Sequence, residues 1–497
     1  MNKVHDPLLL GIDIGTSSCK AAIFEPDGKV AAQAGSEYEV LYPKPGWAEQ
    51  DPDNWWDAVC RALRAMLADD SIDVNKIAGI GIGGQSWAQI LLSKDGESLC
   101  NTPLWMDTRA ADICEELDRN IGKGRIFEVC GNPLQPTYTL PKVLWYKRHF
   151  PDIYNRAEKI LQSNGYIVYK LTGCVSQDIC QAYGYHCFDM RRGRWDDALA
   201  SDMGVRRGML PDISPCHEIV GLVTKEAARQ CGLAEGTPVV AGGLDAACGT
   251  LGAGVIRKGE TQEQGGQAGG MSICLDSYHA DQRLILSYHV VPGKWLLQGG
   301  TVGGGGVMRW LGEEFWPDVS YRALDEEAAN VAPGSDGLIF LPYMSGERSP
   351  IWDANAKGVY FGLDFAKKRG HMIRSGLEGV AFSLRHNLET AEQAGATANR
   401  LRTMGGAANS LLWTQIKSDV TGKPIDVPSS DTATTLGAAL LAGVAAGIYR
   451  DFDDAVGRTV KITRKHEPEP ENAHVYQRAY ETYKGLYMQL KQLMHRS

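Results

Sequence analysis

The sequence predicts an α/β protein of two domains with a cleft between them. Three observations carry this. Apolar strand-like runs alternate with helical patterns along the chain, and the plan repeats more loosely after about residue 256. Glycines cluster at the ends of those runs ("GIGIGG", "AGGLDAACGTLGAG", "QGGQAGG", "GGTVGGGG", "MGGAAN"), where backbone comes close to a ligand or another element. The chain of 497 residues is long enough for two or more domains.

The elements follow in order. "LLLGIDI" reads as a buried strand, and "KAAIFEPDGKVAAQAG" as two more joined by the turn at 26–28. Asp51 and Pro52 cap a helix with Trp56, Val59, Leu63 and Met66 at helical spacing. "KIAGIGIGG" and "AQILLSKDGES" are strands. The region 109–235 reads as mostly helical, including "LPKVLWYKRH" and "PDIYNRAEKIL". "TPVVAGGLDAACGTLGAG" is a strand, a glycine turn and a small-residue helix.

In the second half, "GQAGGMSICLD", "LILSYHVVPGKWLLQGG" and "GLIFLPYM" supply strands, and "GHMIRSGLEGVAFSLRHNLETAEQAG" is a long helix. "RLRTMGGAANSLLWTQIKSDVTG" is a strand, a turn and a helix, and "ATTLGAALLAGVAAG" a helix made for close packing. "EPEPENAH" looks like a linker. Tyr476, Tyr480, Tyr483, Tyr487 and Leu490 form a packing stripe on the last helix.

Composition narrows the function. A net charge of −9 argues against nucleic acid and anionic membranes as partners. No apolar run reaches membrane-spanning length, and the first residues make a poor signal peptide. Twelve cysteines without a CxxC pair read as free thiols of a reducing cytoplasm, Cys174, Cys180 and Cys187 among them. No GxxxxGK[ST] is present, and "GIGGQS" lacks the third glycine of a dinucleotide fingerprint.

Three stretches carry acids where chemistry could occur. In "IDIGTSSCK" a tight turn aims backbone N–H groups and hydroxyls at one point, a nest for phosphate, with Lys20 adding charge. Asp13 beside such phosphates calls for a hard cation between them; an ordinary polar hairpin fits the same residues. Asp245 follows a strand and opens a helix, as an N-cap or as a carboxylate taking a proton from a hydroxyl. Asp107 and Arg109 in "LWMDTRA" form a surface salt bridge or bind a polyol. "SGERSP" at 345–350 reads as a hinge-side loop.

Taken in order, "GIDIGTSSCKAAIFEPDG", "GWAEQDPDNWW", "GIGGQS", "LWMDTRA", "PVVAGGLDAACG", "FLPYMSGERSPIWDANAKGVYFGL" and "GGAANSLLWTQIKSDVTGKPIDV" resemble the FGGY carbohydrate kinases, and among them the xylulose kinases. The resemblance implies two actin-like (ribonuclease H-like) ATPase domains, 1–256 and 257–497, with a catalytic cleft between them. It implies ATP-dependent phosphorylation of a small sugar with Mg²⁺, and a homodimer.

By the same resemblance, Gly15, Thr16, Ser17 and Lys20 hold ATP phosphates, and Asp245 is the catalytic base. Asp13 and Asp245 hold the metal. Gln85, Ser86, Trp87, Asp107 and Arg109 lie at the sugar. Gly266 and Gln267 form the second phosphate turn. Gly405, Gly406, Ala407 and Asn409 lie on the adenosine side. Apart from the resemblance, "GGTVGGGGVMRW" at 299–310 reads as a tight packing corner or a nucleotide-facing loop, with Thr301 and Gly304 as the candidates.

The chain departs from the family pattern at three places. Ser86 and Trp87 replace Met-His, Ala246 replaces an amide, and Gln267 and Ala268 replace two hydroxyl residues. The first two bear on which sugar is bound. A kinase for another ketose, polyol or sugar acid and a catalytically silent regulator are the competing readings.

Overall fold

A computed structural model describes residues 7–69, 71–429 and 432–496. Residues 1–6, which the reading against a signal peptide uses, lie outside them. The first half supplies strands β1 (Leu8–Ile14), β2 (Ser18–Phe24) and β3 (Val30–Glu37), helix α1 (Pro52–Leu67), strands β4 (Ile77–Gly84), β5 (Ile219–Leu222), β6 (Pro238–Val240) and β7 (Gly243–Leu244), and helix α2 (Asp245–Gly252). The second supplies β8 (Glu260–Gly265), β9 (Gly269–Leu275), β10 (Ile285–Tyr288), β11 (Trp295–Thr301), α3 (Gly305–Phe315), α4 (Arg369–Gln393), β12 (Arg400–Met404), α5 (Leu411–Thr421), β13 (Ile425–Pro428), α6 (Ala433–Ala445), β14 (Ile462–His466) and α7 (Ala473–Met494).

Each half builds a sheet of seven strands, ordered β5-β6-β4-β1-β2-β3 with β7 paired to the end of β4, and β10-β11-β9-β8-β12-β13-β14. The two share one plan. An antiparallel meander opens each (β1-β2-β3; β8-β9-β11), and two parallel crossovers follow on its other side (β4, β6; β12, β13). The turn at 15–17 and the turn at 266–268 therefore occupy corresponding positions. In a parallel arrangement the carboxyl ends of the strands gather at one edge, where α/β sheets bind ligands.

Between the sheets lie α2 and α6. Their small residues bring backbones into contact, and the core they share joins Leu9, Phe24 and Leu244 of the first half to Cys274 and Leu296 of the second. The chain passes from one sheet to the other near 256, and α6 returns to pack on β1 and β4.

Local expectations hold where the pattern is long. The Asp51 carboxylate accepts from the Asp53 N–H (3.0 Å) at the start of α1, whose Trp56, Val59, Leu63 and Met66 are buried. The tyrosine stripe of α7 is packed inward, Tyr476 and Tyr480 being fully enclosed. Two expectations are corrected. "PDIYNRAEKIL" is helical only over Pro151–Arg156; Ala157–Leu161 is a strand, paired antiparallel to Ile90–Ser93, so cross-strand burial of Ile160 and Leu161 overrides helical periodicity. "EPEPENAH" is tied down, because Asp419 of α5 accepts from the Glu469 N–H (2.9 Å) and the Asn472 amide (2.8 Å).

Lys417 of α5 donates to Glu263 of β8 (2.7 Å), both side chains buried, and Thr403 donates to the same carboxylate. Removing one partner leaves an uncompensated buried charge. Lys417→Met is expected to cost about 3–5 kcal/mol, and Lys417→Met with Glu263→Leu to recover most of it, read from urea unfolding midpoints.

Candidate active site

Asp13 stands one residue before the end of β1, where the apolar run breaks as the strand reaches the cleft. Asp13 pairs in register with Gly83 of β4, and Gly83 with Gly243 of β7, so the row leads directly to Asp245 at the start of α2. Two strand spacings, roughly 10 Å, separate the rows that carry the two acids. Asp245 accepts from the Ala246 N–H (2.6 Å). From behind, the Cys180 thiol accepts from the Leu244 N–H (3.1 Å) and donates to Asp178 (2.8 Å), fixing the strand that presents Asp245.

Electrostatics follow from this convergence. Burial, then the charge of Asp245, push Asp13 up to about 7, with Lys20 pulling the other way. Burial raises Asp245 to about 6 against its hydrogen bond from Ala246. One oxygen of Asp13 is buried without any hydrogen-bond partner. An orphaned carboxylate oxygen beside a second carboxylate fits a divalent cation, whose oxygen ligands are of this kind.

Two cavities, one of them lined by Asp13, share Gly266, Gly406 and Asn409 as wall residues. The smaller, about 710 Å³, includes Asp13, Lys20, Gly405 and Thr432–Thr435. The larger, about 1260 Å³, includes Gln267, Gly305, Ala407, Tyr321 and Asp325. Together they run from the first hairpin to the far side of the second domain. Lys20, Gly266, Gln267, Gly405, Gly406, Ala407 and Asn409 are thus brought together.

Gly15, Thr16 and Ser17 form the hairpin tip, held by Tyr38 on the Gly15 carbonyl (2.6 Å) and Gln50 on the Thr16 carbonyl (2.7 Å). Thr301 and Gly304 sit behind the wall. The Thr301 hydroxyl donates to Gly303 (2.9 Å), and the N–H groups of Gly305 and Gly306 at the start of α3 donate to Gly266 (2.7 Å) and Gln267 (2.9 Å). That glycine-rich corner packs one turn on another; Gly305 reaches the cavity.

On the other side of Asp245 stands an aromatic group. Trp87 takes φ +59, a left-handed conformation costly for so large a residue. Its ring stacks on Tyr138 (centroids 4.1 Å) and meets Tyr183 edge-on (6.2 Å). Its indole N–H, the Tyr138 hydroxyl and the Gln85 amide oxygen are buried without partners. Ser86 is half-buried between Gln85 and Trp87.

Asp107 and Arg109 serve each other. Asp107 is fully enclosed, accepting from Arg109 (2.9 and 2.7 Å) and the Ala48 N–H (2.8 Å). Arg109 also pairs with Glu49 (2.7 Å) and lies on the Trp47 ring (3.8 Å). The pair anchors the loop from which Trp105 reaches Thr16 with its indole N–H (3.0 Å).

Sequence reasoning missed Trp105, Tyr138, Tyr183, Gln50 and Lys142. Lys142 is fully buried, its ammonium donating to the carbonyls of Trp87 (2.7 Å), Leu104 (2.9 Å) and Pro103 (3.2 Å), and burial lowers it to about 7. The available signal was a lone lysine inside "TLPKVLWY", a helix otherwise buried through that stretch.

Two family models match the chain: FGGY family of carbohydrate kinases, N-terminal domain, over residues 8–252, and the C-terminal domain of the same family over residues 279–446. The xylulose kinase of Escherichia coli (strain K12) is 30% identical over 490 residues, spanning 98% of this chain and 100% of that protein. The crystal structure of xylulose kinase from Rhodospirillum rubrum superposes with a TM-score of 0.90 at 30% identity, covering 98% of this chain and 100% of that one. That of gluconate kinase from Lactobacillus acidophilus gives 0.91 at 26% identity, covering 97% and 98%. Among the described residues no helix is long and apolar enough to cross a membrane, and the twelve cysteines are free thiols.

Proposed function

This chain belongs to the FGGY family of carbohydrate kinases, ATP-dependent enzymes that phosphorylate a sugar hydroxyl, and from that premise we propose that its sugar is a ketopentose such as D-xylulose. The observation that carries the site assignment is Asp13, with its unpartnered oxygen, lining a cavity while feeling the charge of Asp245 two strands away. The similar proteins named xylulose kinase support the choice of sugar.

In this reading the hairpin 15–17, Lys20 and the turn at 266–267 hold the phosphates, and Gly405–Ala407 and Asn409 the nucleoside side. Asp13 and Asp245 would hold Mg²⁺, which supplies positive charge to the phosphate oxygens when bound. Phosphoryl transfer needs in-line positioning and charge neutralisation more than covalent help. Asp245 orients the sugar hydroxyl and takes its proton; with its acidity at about 6 it is ionised at neutral pH and basic enough to accept. Trp87, Tyr138 and Gln85 present an aromatic face with unspent polar atoms to the sugar, and Asp107 and Arg109 hold that wall in place.

Trp87 and Ala246 favour a second reading within the same chemistry, a kinase for another ketose, a polyol or a sugar acid, and the likeness to a gluconate kinase structure supports including the last. The proposed assembly is a homodimer, tested by sedimentation. The decisive experiment follows ADP release with Mg-ATP across D-xylulose, other ketoses, polyols and gluconate. D-Xylulose is expected to give the highest kcat/KM, and excess chelator to abolish turnover. A higher kcat/KM with another class overturns the sugar. ATP binding with no sugar-dependent ADP release on any of them replaces the kinase by a silent regulator.

A further inference from the structure

The loop at 345–350 is built to hold one side chain. Buried Glu347 accepts from the N–H groups of Val302 (2.7 Å) and Arg348 (2.8 Å). The Ser349 hydroxyl accepts from the Gly300 N–H (2.7 Å) and donates to its carbonyl (3.1 Å), and Asn387 donates to the Ser349 carbonyl (3.1 Å). Thus both neighbours of Arg348 are pinned to β11. The guanidinium itself lies over Gly300: a methyl there would stand 2.9 Å from its central carbon, so this position has no side chain.

Arg348 spends one donor on the Thr301 carbonyl (3.0 Å), its Nε is buried without a partner, and among the described residues it pairs with no carboxylate. It also crosses between the halves of the molecule. Its guanidinium carbon is 5.1 Å from the centre of the Trp105 ring, and the Trp105 indole N–H is the group that holds Thr16 of the first hairpin. A cation that makes no ion-pair contact, the carboxylate acting on it being that of its chain neighbour Glu347, therefore stands one aromatic ring away from the phosphate hairpin.

Burying an arginine with its donors unmet is costly unless an anion arrives. We propose that Arg348 is a catalytic residue whose free guanidinium N–H groups take an oxygen of the phosphoryl group as it passes from ATP to the sugar. This rests on the kinase reading of the cleft. In the step, the bond from the γ-phosphorus to the bridging oxygen breaks and leaves with ADP. The sugar oxygen bonds to that phosphorus, its proton goes to Asp245, and Arg348 keeps its charge throughout. Charge spreads over three oxygens of the phosphoryl group in flight, and a planar fork of donors matches two of them.

The test is steady-state kinetics of Arg348→Ala, Arg348→Gln and Arg348→Lys, with ATP binding by calorimetry. Losing charge-assisted hydrogen bonds made in the transition state is expected to lower kcat about 30-fold in Arg348→Ala, while the sugar KM and the ATP Kd move less than about threefold. Arg348→Lys keeps charge without the fork and falls between. Free guanidinium ion at tens of millimolar, roughly, restores part of the lost kcat in Arg348→Ala and leaves the wild type unchanged.

A kcat within about threefold of wild type in Arg348→Ala overturns the proposal. So does a loss with no guanidinium rescue and a matching loss of ATP binding, which marks the loop as support for Trp105. Should Arg348→Ala not fold, Arg348→Gln, with a polar tip near Thr301, is judged by the same kcat criterion. Wild-type turnover separates the two claims: none on any sugar sinks the kinase reading and this one with it, whereas normal turnover in wild type and variants sinks this one alone.

Discussion

Asp245→Asn is expected to lower sugar-dependent turnover by about 10²–10⁴-fold while ATP binding stays within about threefold. Asparagine keeps the shape and can still accept from the Ala246 N–H, so the start of α2 stays in place. It cannot take a proton. It also removes one of the charges that raise Asp13, which offsets the loss of one metal-holding carboxylate, and its amide oxygen can still face a cation. Rapid-quench single turnovers with bound ATP and sugar check this; a rate within tenfold of wild type would remove Asp245 from the role of base.

A stability measurement gives an independent reading. The Asp245 carboxyl is raised to about 6 in the folded protein, mainly by burial, from its ordinary 3.8. A raised folded value means the folded state binds the proton more tightly, so wild type gains stability at low pH and loses it as pH climbs from about 4 to 6. In metal-free buffer the melting midpoint of Asp245→Asn should therefore overtake that of wild type across this window and keep gaining to about pH 7, because the variant also lacks the charge that helps raise Asp13 to about 7.

What the sequence carried, and what it did not, divides along the range of the interactions. Asp13 and Lys20 were legible in the residues themselves, at a small-residue turn where an apolar run stops, whereas Gly266, Gly406 and Asn409 came from the family resemblance; all five line one cavity. The packing role of α6 was legible from its composition alone. Lys142, Gln50 and Trp105 were not. They work by tethering backbone or hydroxyl groups 34 to 89 residues away, which leaves no periodicity and no fixed spacing. Asp107 and Arg109 were legible as a pair, and the salt bridge among the two alternatives for them is formed. Two residues apart, they close on each other, and the neighbour that reaches the cleft is Trp105. Thr301 and Gly304 belong to a glycine run that the sequence left open between a packing corner and a nucleotide-facing loop, and the turn at 266–268 packs against it.

The same close packing makes glycine replacements between the sheets the most damaging to the fold. A methyl at Gly11 would lie 2.7 Å from the Thr435 carbonyl carbon and nearer still to its oxygen; one at Gly81 would lie 2.6 Å from the Ala438 carbonyl carbon in the same way. Both obstacles are the backbone of α6, so no side chain can swing aside. Relief requires α6 to lift from β1 and β4, which opens the core it shares with α2, where Gly437 meets the Cys248 carbonyl just as tightly. Overpacking a core by one methyl with side-chain relaxation costs about 1–3 kcal/mol, and here that relaxation is missing. Gly11→Ala with Gly81→Ala together should exceed a domain's whole margin of about 5–15 kcal/mol and leave no cooperatively folded protein. Each single variant should melt well below wild type and lose ATP affinity, because Thr432–Thr435 at the head of α6 line the cavity beside Asp13 and Lys20 where the nucleotide is proposed to bind. Gly485→Ala on exposed α7, where a methyl meets nothing, serves as the control and should stabilise by about 1 kcal/mol through helix propensity alone. Melting of the double variant within a few degrees of the control, with ATP binding intact, would mean that α6 does not ride on bare backbone at these two positions.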